Sequence, residues 1–304
     1  MDTQTSKSQR TQAAYRTFAF ALGLVSCLST PISAHAGLVI NRQFNPSIAP
    51  ANMVGGGNLP DIFDAASTFW ENAFPDPNET WVVNLEYEWA ALPGQNGSFI
   101  LNQQGGSPHR ILSGRIRFDN SAVQFFADPT PQDNSEYTQH HELFWDTPDG
   151  PLNTGRQYFG ATGDAAIGVD LLTIAKHEIG HALGLSADNT ASPLVIDVTS
   201  PRPFPGVMID TKGGDHLMNL DGAVMGQDLF GAGTRTLISG VDVLAEAQIS
   251  LFDRPNLNPY VVPEPAPLAL GLIGLMVGMP FLKRGGWRRR GLANTSLGSS
   301  KPLP

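Results

Sequence analysis

One pentapeptide constrains this chain more than any other feature, because it repeats histidine at the spacing of one helical turn. The pentapeptide is His177-Glu178-Ile-Gly-His181. On an α-helix, residues i and i+4 lie one above the other on the same face. The two imidazoles could therefore bind one metal ion together, and the carboxylate of Glu178 could reach a water on that ion.

The residues around the pentapeptide indicate a helix. Asp170 precedes an apolar run, where its side chain can cap a helix. Gly184 follows three residues after His181, and a glycine there lets the chain leave the helix through a left-handed turn. Between them the apolar residues recur at helical spacing, with the two histidines roughly opposite their stripe: Leu172, Ala175, Ile179, Ala182 and Leu183. The pattern predicts a helix that buries one face and turns its imidazoles toward a cleft.

The longer segment resembles the metzincin family of zinc peptidases, whose pattern is H-E-x-x-H-x-x-G-x-x-H. His177, Glu178, His181 and Gly184 match this pattern, and Ala187 occupies the position of its third histidine. Catalytic zinc sites normally use three protein ligands and a water. The third ligand must therefore come from another part of the chain.

His216 is the only histidine downstream of His181, and it is the predicted third ligand. This arrangement is similar to that of the leishmanolysin-like metzincins, in which an insertion separates the glycine from the third histidine. The segment 186–215 would be that insertion, and its prolines and glycines indicate a loop. A rival third ligand is Glu246, which would make the site resemble that of the gluzincins.

The resemblance also implies a methionine-containing turn beneath the zinc. Met225 lies nine residues after His216 and suits that role better than the nearer Met218. Three neutral imidazoles leave the zinc its full charge, which lowers the pKa of the bound water. Glu178 would then act as general base and pass the proton to the leaving amine. The predicted activity is zinc-dependent endopeptidase cleavage of protein or peptide substrates.

Residues 1–36 have the pattern of a secretory signal peptide. Three basic residues precede a mostly apolar stretch at 17–29, and Ala34-His-Ala36 gives a small-x-small cleavage pattern. The only cysteine, Cys27, lies inside this segment. The mature protein would then have no thiol and no disulfide, so its stability must come from its core and bound ions.

The other end of the chain resembles the PEP-CTERM sorting signal of Gram-negative bacteria. Pro263, Glu264 and Pro265 precede 17 uncharged residues at 266–282, and an arginine-rich tail follows. As a helix, this apolar stretch would be about 26 Å long, close to the lower limit for spanning a bilayer. The resemblance implies an inner-membrane-anchored precursor, processing by an exosortase-type enzyme, and a final location at the cell surface or outside the cell. A plain membrane anchor is the alternative.

Charge excludes some classes of partner. Between Gly37 and Val262 the chain has 26 acidic and 10 basic residues. Such a surface repels nucleic acid and anionic membranes, and it suits a soluble extracellular protein. Secreted proteases often bind calcium, but the chain has no D-x-D-x-D-G loop to support such a site.

The expected fold is α+β and zincin- or metzincin-like. It would have a mixed twisted sheet, an active-site helix and a smaller C-terminal helical or irregular subdomain. Residues 37–258 would form the protease domain, with an upper part at 37–184 and a lower part at 185–258, and the sorting signal would occupy 259–304. The zinc would lie in the groove between the two parts.

Apolar periodicity predicts the main elements. Helices are expected at 61–74 and 239–249, and strands at 81–89 and 110–118. The region 127–165 is rich in Pro, Asp, Asn and Gly and is expected to be mostly loop, with a short helix around 137–144. By analogy with the family, an edge near Arg115–Phe118 is expected to pair with an extended substrate.

A second functional hypothesis belongs to a different class. The chain could be a surface or biofilm matrix protein that keeps zinc for structure and binds polysaccharide or other proteins without cutting them. The missing ligand at Ala187 and the sorting signal favour this hypothesis. Glu178 argues against it, because a structural zinc site needs no general base and usually fills all four positions with protein ligands.

Overall fold

The computed structural model describes residues 37–147, 150–192, 195–197, 208–226 and 231–260. The predicted signal peptide at 1–36 and the sorting signal from Pro263 onward, with its helix at 266–282, lie outside these residues. Within the described ranges, no helix is both long enough and apolar enough to cross a bilayer.

The described part contains helices and several sheets, which confirms the α+β class. Its helices are α1 (Leu59–Ala73), α2 (Leu171–Leu183) and α3 (Gly240–Ser250), and Gly163–Ala166 forms a short 3-10 helix. Its strands are β1 (Leu38–Phe44), β2 (Trp81–Ala90), β3 (Gly97–Gly105), β4 (Arg110–Asp119), β5 (Phe125–Phe126), β6 (Tyr137–Thr147), β7 (Gly150–Ala161), β8 (Val169–Asp170), β9 (Val195–Asp197), β10 (Met208–Lys212), β11 (His216–Leu217) and β12 (Arg235–Leu237).

The largest sheet has four strands in the order β1-β2-β4-β3 and is mixed, as predicted. β1, β2 and β4 are parallel to one another, whereas β3 is antiparallel to β4. β4 is hydrogen-bonded on both sides, so the expectation that Arg115–Phe118 forms a sheet edge is wrong. The edge belongs to β3, which pairs only with β4 among the described strands.

Helices α1 and α2 pack beside this sheet through a common core. The side chain of Asn58 caps α1 by accepting a hydrogen bond from the Asp61 amide, which starts the helix two residues earlier than its apolar pattern predicts. The indole Nε1 of Trp70 on α1 donates to the backbone oxygen of Lys176 on α2 at 2.9 Å. α2 is therefore buried on nearly every side, more deeply than a one-sided stripe predicts.

The region 127–165 departs most from its prediction. The short helix expected around 137–144 is wrong, because these residues belong to β6, which pairs with β7 in a long antiparallel hairpin. Most β6 side chains are exposed, so the strand lacks the alternation of buried and exposed residues that marks a strand in sequence. Backbone pairing alone defines it.

The described residues of the predicted loop at 186–215 include two strands. β9 and β10 pair antiparallel, and β10 pairs in turn with β11, which begins at His216. Gly213 and Gly214 have φ of 66° and 87° and allow the tight turn between β10 and β11. The insertion therefore delivers His216 from a hairpin, in register with Lys212.

Candidate metal centre

The structure brings together the three histidines that the sequence predicts as ligands. Nε2 of His181 lies 3.0 Å from Nε2 of His177, and Nε2 of His216 lies 3.3 Å from the same atom. The side chains come from two adjacent turns of α2 and from the start of β11. Within the described residues, no other group of three or more His, Cys, Asp or Glu side chains places its donor atoms this close together.

Hydrogen bonds on the far side of each ring fix the tautomers. Nδ1 of His177 donates to the Val224 carbonyl at 2.8 Å, and Nδ1 of His181 donates to the Leu185 carbonyl at 2.7 Å. Nδ1 of His216 faces the Asp215 carboxylate at 2.9 Å. Because carbonyl and carboxylate oxygens only accept, each Nδ1 donates the ring proton, and Nε2 of a neutral ring then offers its lone pair. Three lone pairs that converge without a proton between them fit a bound cation.

Burial keeps the two helix histidines neutral. It lowers the pKa of His177 well below its ordinary value, and the neighbouring His181 adds to this effect. Burial likewise lowers the pKa of His181 to about 4. A metal ion needs neutral imidazoles, so both rings are ready to bind one at neutral pH without first losing a proton.

Glu178 lines the same cleft, and no hydrogen bond to its Oε2 within the described residues explains its burial. Its side chain is only 5% exposed, and Oε2 makes no hydrogen bond within the described part of the chain. Burial raises the pKa of Glu178 to about 8. Gly97 packs directly on this carboxylate: a side-chain carbon there would lie 2.5 Å from Oε1. A glycine is needed at the start of β3 to leave room for the carboxylate.

The histidines open into a cleft of about 560 Å³. One wall is formed by the loop 94–96 and the first residues of β3, and the floor is formed by α2. The opposite side carries residues 186–188 and Asp215. Among the described residues, the lining includes the carboxylates of Asp188 and Asp215 but no Lys or Arg, so this part of the cleft surface is acidic.

Met225 packs against α2, and Gly184 ends this helix. The side chain of Met225 is fully buried and packs on Gly180, so closely that a side chain at position 180 would collide with its sulfur. Met218, the nearer alternative, is 38% exposed. Gly184 ends the helix with φ of 154°, and a side chain there would contact Ile249 at 2.9 Å.

The rival third ligand is wrong. Glu246 is fully buried on α3, and its Oε1 accepts a hydrogen bond from the Leu185 amide, which follows the end of α2. It is not part of the group of side chains whose donor atoms converge on a metal position. The hairpin of β10 and β11 brings in His216 instead.

Sequence reasoning missed several residues of the site. Gly97 and the edge strand β3 were not predicted, although Gly94 and the pair Gly105-Gly106 flank an apolar run at 99–101, as turn residues flank a strand. The carbonyls of Val224 and Leu185 could not be found this way, because backbone groups leave no signal in a sequence.

Comparison of the chain with protein-family models, with curated proteins and with solved structures finds no match. The function must therefore be argued from the chemistry of the site. The site combines three imidazoles, one buried carboxylate and an open cleft.

Proposed function

We propose that this protein is a zinc-dependent endopeptidase with a metzincin-like active site. One observation carries the proposal: three Nε2 atoms converge beside a buried carboxylate whose Oε2 has no hydrogen-bond partner among the described residues. A structural metal site has no use for such a carboxylate, whereas hydrolysis requires a base within reach of the metal. His177, His181 and His216 would hold the metal, and Glu178 would be the general base.

Zinc is the metal that suits these donors best. Imidazole ligands suit zinc, copper, iron and nickel, while calcium and magnesium prefer oxygen. Three histidine ligands would leave room for a water on the metal, which is the usual composition of a catalytic zinc site. When bound, zinc would supply a water with a lowered pKa and would polarise the substrate carbonyl.

The side chains around the metal position have separate tasks. Glu178 accepts a proton from the attacking water and returns it to the leaving amine. Burial raises the pKa of Glu178, so this carboxylate takes up a proton more readily than an exposed one. The free edge of β3, which begins at Gly97 in the cleft wall, can pair with an extended peptide and align the scissile bond.

The charge of the cleft favours a class of peptide. Asp188 and Asp215 line it, and no basic side chain in the described part of the chain does. Acidic substrate residues beside the scissile bond would face like charges in a partly desolvated cleft, whereas Lys or Arg would be attracted. The preferred substrates are therefore peptides with basic residues near the cleavage site.

Export and surface sorting are part of the proposal. The order of charges, apolar stretch and small residues in 1–36 supports secretion. Pro263, Glu264, Pro265 and the stretch 266–282 support processing by an exosortase-type enzyme after transient membrane anchoring. The excess of acidic residues between these ends suits an extracellular protein and leaves no basic surface for nucleic acid.

A digest of a peptide library by the zinc-loaded protein tests the activity. We expect cleavage that stops when a chelator removes the metal and resumes when zinc is restored. We also expect cleaved sequences to be enriched in Lys and Arg, and depleted of Asp and Glu, beside the cut. If the zinc-loaded protein cuts no member of the library, the matrix-binding hypothesis replaces the peptidase.

A further inference from the structure

Two metal ligands depend on backbone carbonyls that lie outside regular secondary structure. His177 is oriented by the Val224 carbonyl and His181 by the Leu185 carbonyl, at 2.8 and 2.7 Å. A carbonyl can hold an imidazole in place only if its own residue is fixed. Partners of this kind typically change metal affinity by about 10–100-fold when they are lost.

Helix α3 fixes both residues with carboxylates. Asp242 accepts hydrogen bonds from the amides of Val224 at 3.0 Å and Met225 at 2.8 Å. Glu246 accepts one from the amide of Leu185 at 3.3 Å. The two acids are four residues apart and therefore share one face of α3. Each carboxylate therefore accepts a hydrogen bond from the amide of a residue whose own carbonyl accepts one from an imidazole.

We propose that α3 positions two of the metal ligands, with Asp242 holding the residue that orients His177 and Glu246 holding the residue that orients His181. The proposal rests on the metal-binding part of the proposed function and not on peptidase activity. Both are positioning residues, since neither carboxylate belongs to the group that converges on the metal position.

Glu246 carries the stronger argument, because its burial has no local explanation. Asp242 also closes the capping box of α3 with Ser239, so its burial stabilises the helix as well. Glu246 is fully buried, its Oε2 has no hydrogen-bond partner among the described residues, and its one bond goes to Leu185. A buried acid with a single long bond costs stability. Gly184 packs against it, and a side-chain carbon there would lie 3.0 Å from Oε2.

Substitutions at position 246 test this role in the full-length protein with zinc and cobalt as probes. Glu246→Gln keeps an oxygen that can accept the Leu185 amide, so zinc affinity and the cobalt absorption spectrum should match those of the wild type. Glu246→Met keeps the length but removes the acceptor. Its zinc affinity, measured by competition with a chelator, should fall by about 10–100-fold, and its cobalt spectrum should shift.

Val243→Ala is the matched control, because Val243 is fully buried on the same helix and its side chain makes no hydrogen bond to Val224 or Leu185. It should lower the melting temperature and leave zinc affinity and the cobalt spectrum unchanged. Glu246→Leu repeats the test if the methionine variant does not fold. The proposal is overturned if both apolar variants at position 246 keep the zinc affinity and cobalt spectrum of the wild type. It is also overturned if Val243→Ala changes zinc affinity and the cobalt spectrum as much as they do. If the protein cuts no peptide while these metal results hold, the peptidase fails and the positioning role stands.

Discussion

Replacing Glu178 with alanine is expected to lower peptide hydrolysis by about 10²–10⁴-fold while the protein keeps its metal. The three ligands are imidazoles, so removal of a neighbouring carboxylate leaves the donor set intact. The same substitution should not lower the melting temperature of the metal-free protein. Oε2 is buried without a hydrogen bond, and removing such a group relieves a desolvation cost. Activity would be lost without a loss of stability.

Two further substitutions sharpen this test. Glu178→Gln has nearly the same shape but cannot accept a proton, so it should be as inactive as the alanine variant. Glu178→Asp keeps a carboxylate on a shorter stem and should retain more activity than either. Each variant is compared by its initial rate and by its zinc content. If the alanine variant, with full zinc content, keeps more than about a tenth of the wild-type rate, Glu178 is not the general base.

Replacing Arg235 with methionine is expected to lower the free energy of unfolding by about 3–5 kcal/mol. The guanidinium is fully buried, where it contacts Asp170 at 2.9 and 3.1 Å and Asp128 at 2.6 Å, and it also donates to the Asp133 carbonyl. Its loss would leave two buried carboxylates without their cation. Asp170 caps α2, so the same change should loosen the start of the metal-binding helix.

Urea unfolding at a fixed zinc concentration measures this effect, because bound zinc itself stabilises the folded state. Arg115→Met is the matched control: Arg115 pairs with Glu86 at 2.8 Å with both side chains more than a third exposed, and its loss should cost about 0–1 kcal/mol. Equal effects in the two variants would contradict the account of Arg235.

The Arg235 effect should also depend on pH. Burial by itself would raise the pKa of Asp170, but the charge and hydrogen bonds of Arg235 outweigh burial and lower it. A lowered pKa in the folded state means that the ion pair stabilises the protein at neutral pH and loses this contribution as pH falls through that pKa. The difference between wild type and Arg235→Met should therefore shrink in acid.

The sequence predicts those elements in which burial alternates regularly. β2 is an example: its buried residues alternate with exposed ones, and the structure places it within a residue of its predicted end. α3 is another example: it was predicted at 239–249 and spans Gly240–Ser250, with a capping box formed by Ser239 and Asp242 at its start. In both cases the local pattern and the tertiary environment agree.

Elements that depend on distant partners were missed. β6 has mostly exposed side chains and is defined by backbone bonds to β7, which its own residues do not encode. The buried Glu246 looks in sequence like one more polar position on a helix, or like a ligand. Only the structure shows that its Oε1 accepts a hydrogen bond from the Leu185 amide, just past the end of α2. His216 could be predicted because so few histidines were available.

Zinc titration of the wild type and of His216→Ala tests the central claim most directly. The account predicts one zinc per wild-type chain. It also predicts that the alanine variant binds zinc more than about 100-fold less tightly. Loss of a ligand should weaken zinc binding more than loss of the hydrogen-bond partner behind a ligand. His140→Ala, at an exposed strand position outside the cleft, should titrate like the wild type. If the wild type binds no zinc, or if the His216 variant binds it with unchanged affinity, the three-histidine metal centre is wrong.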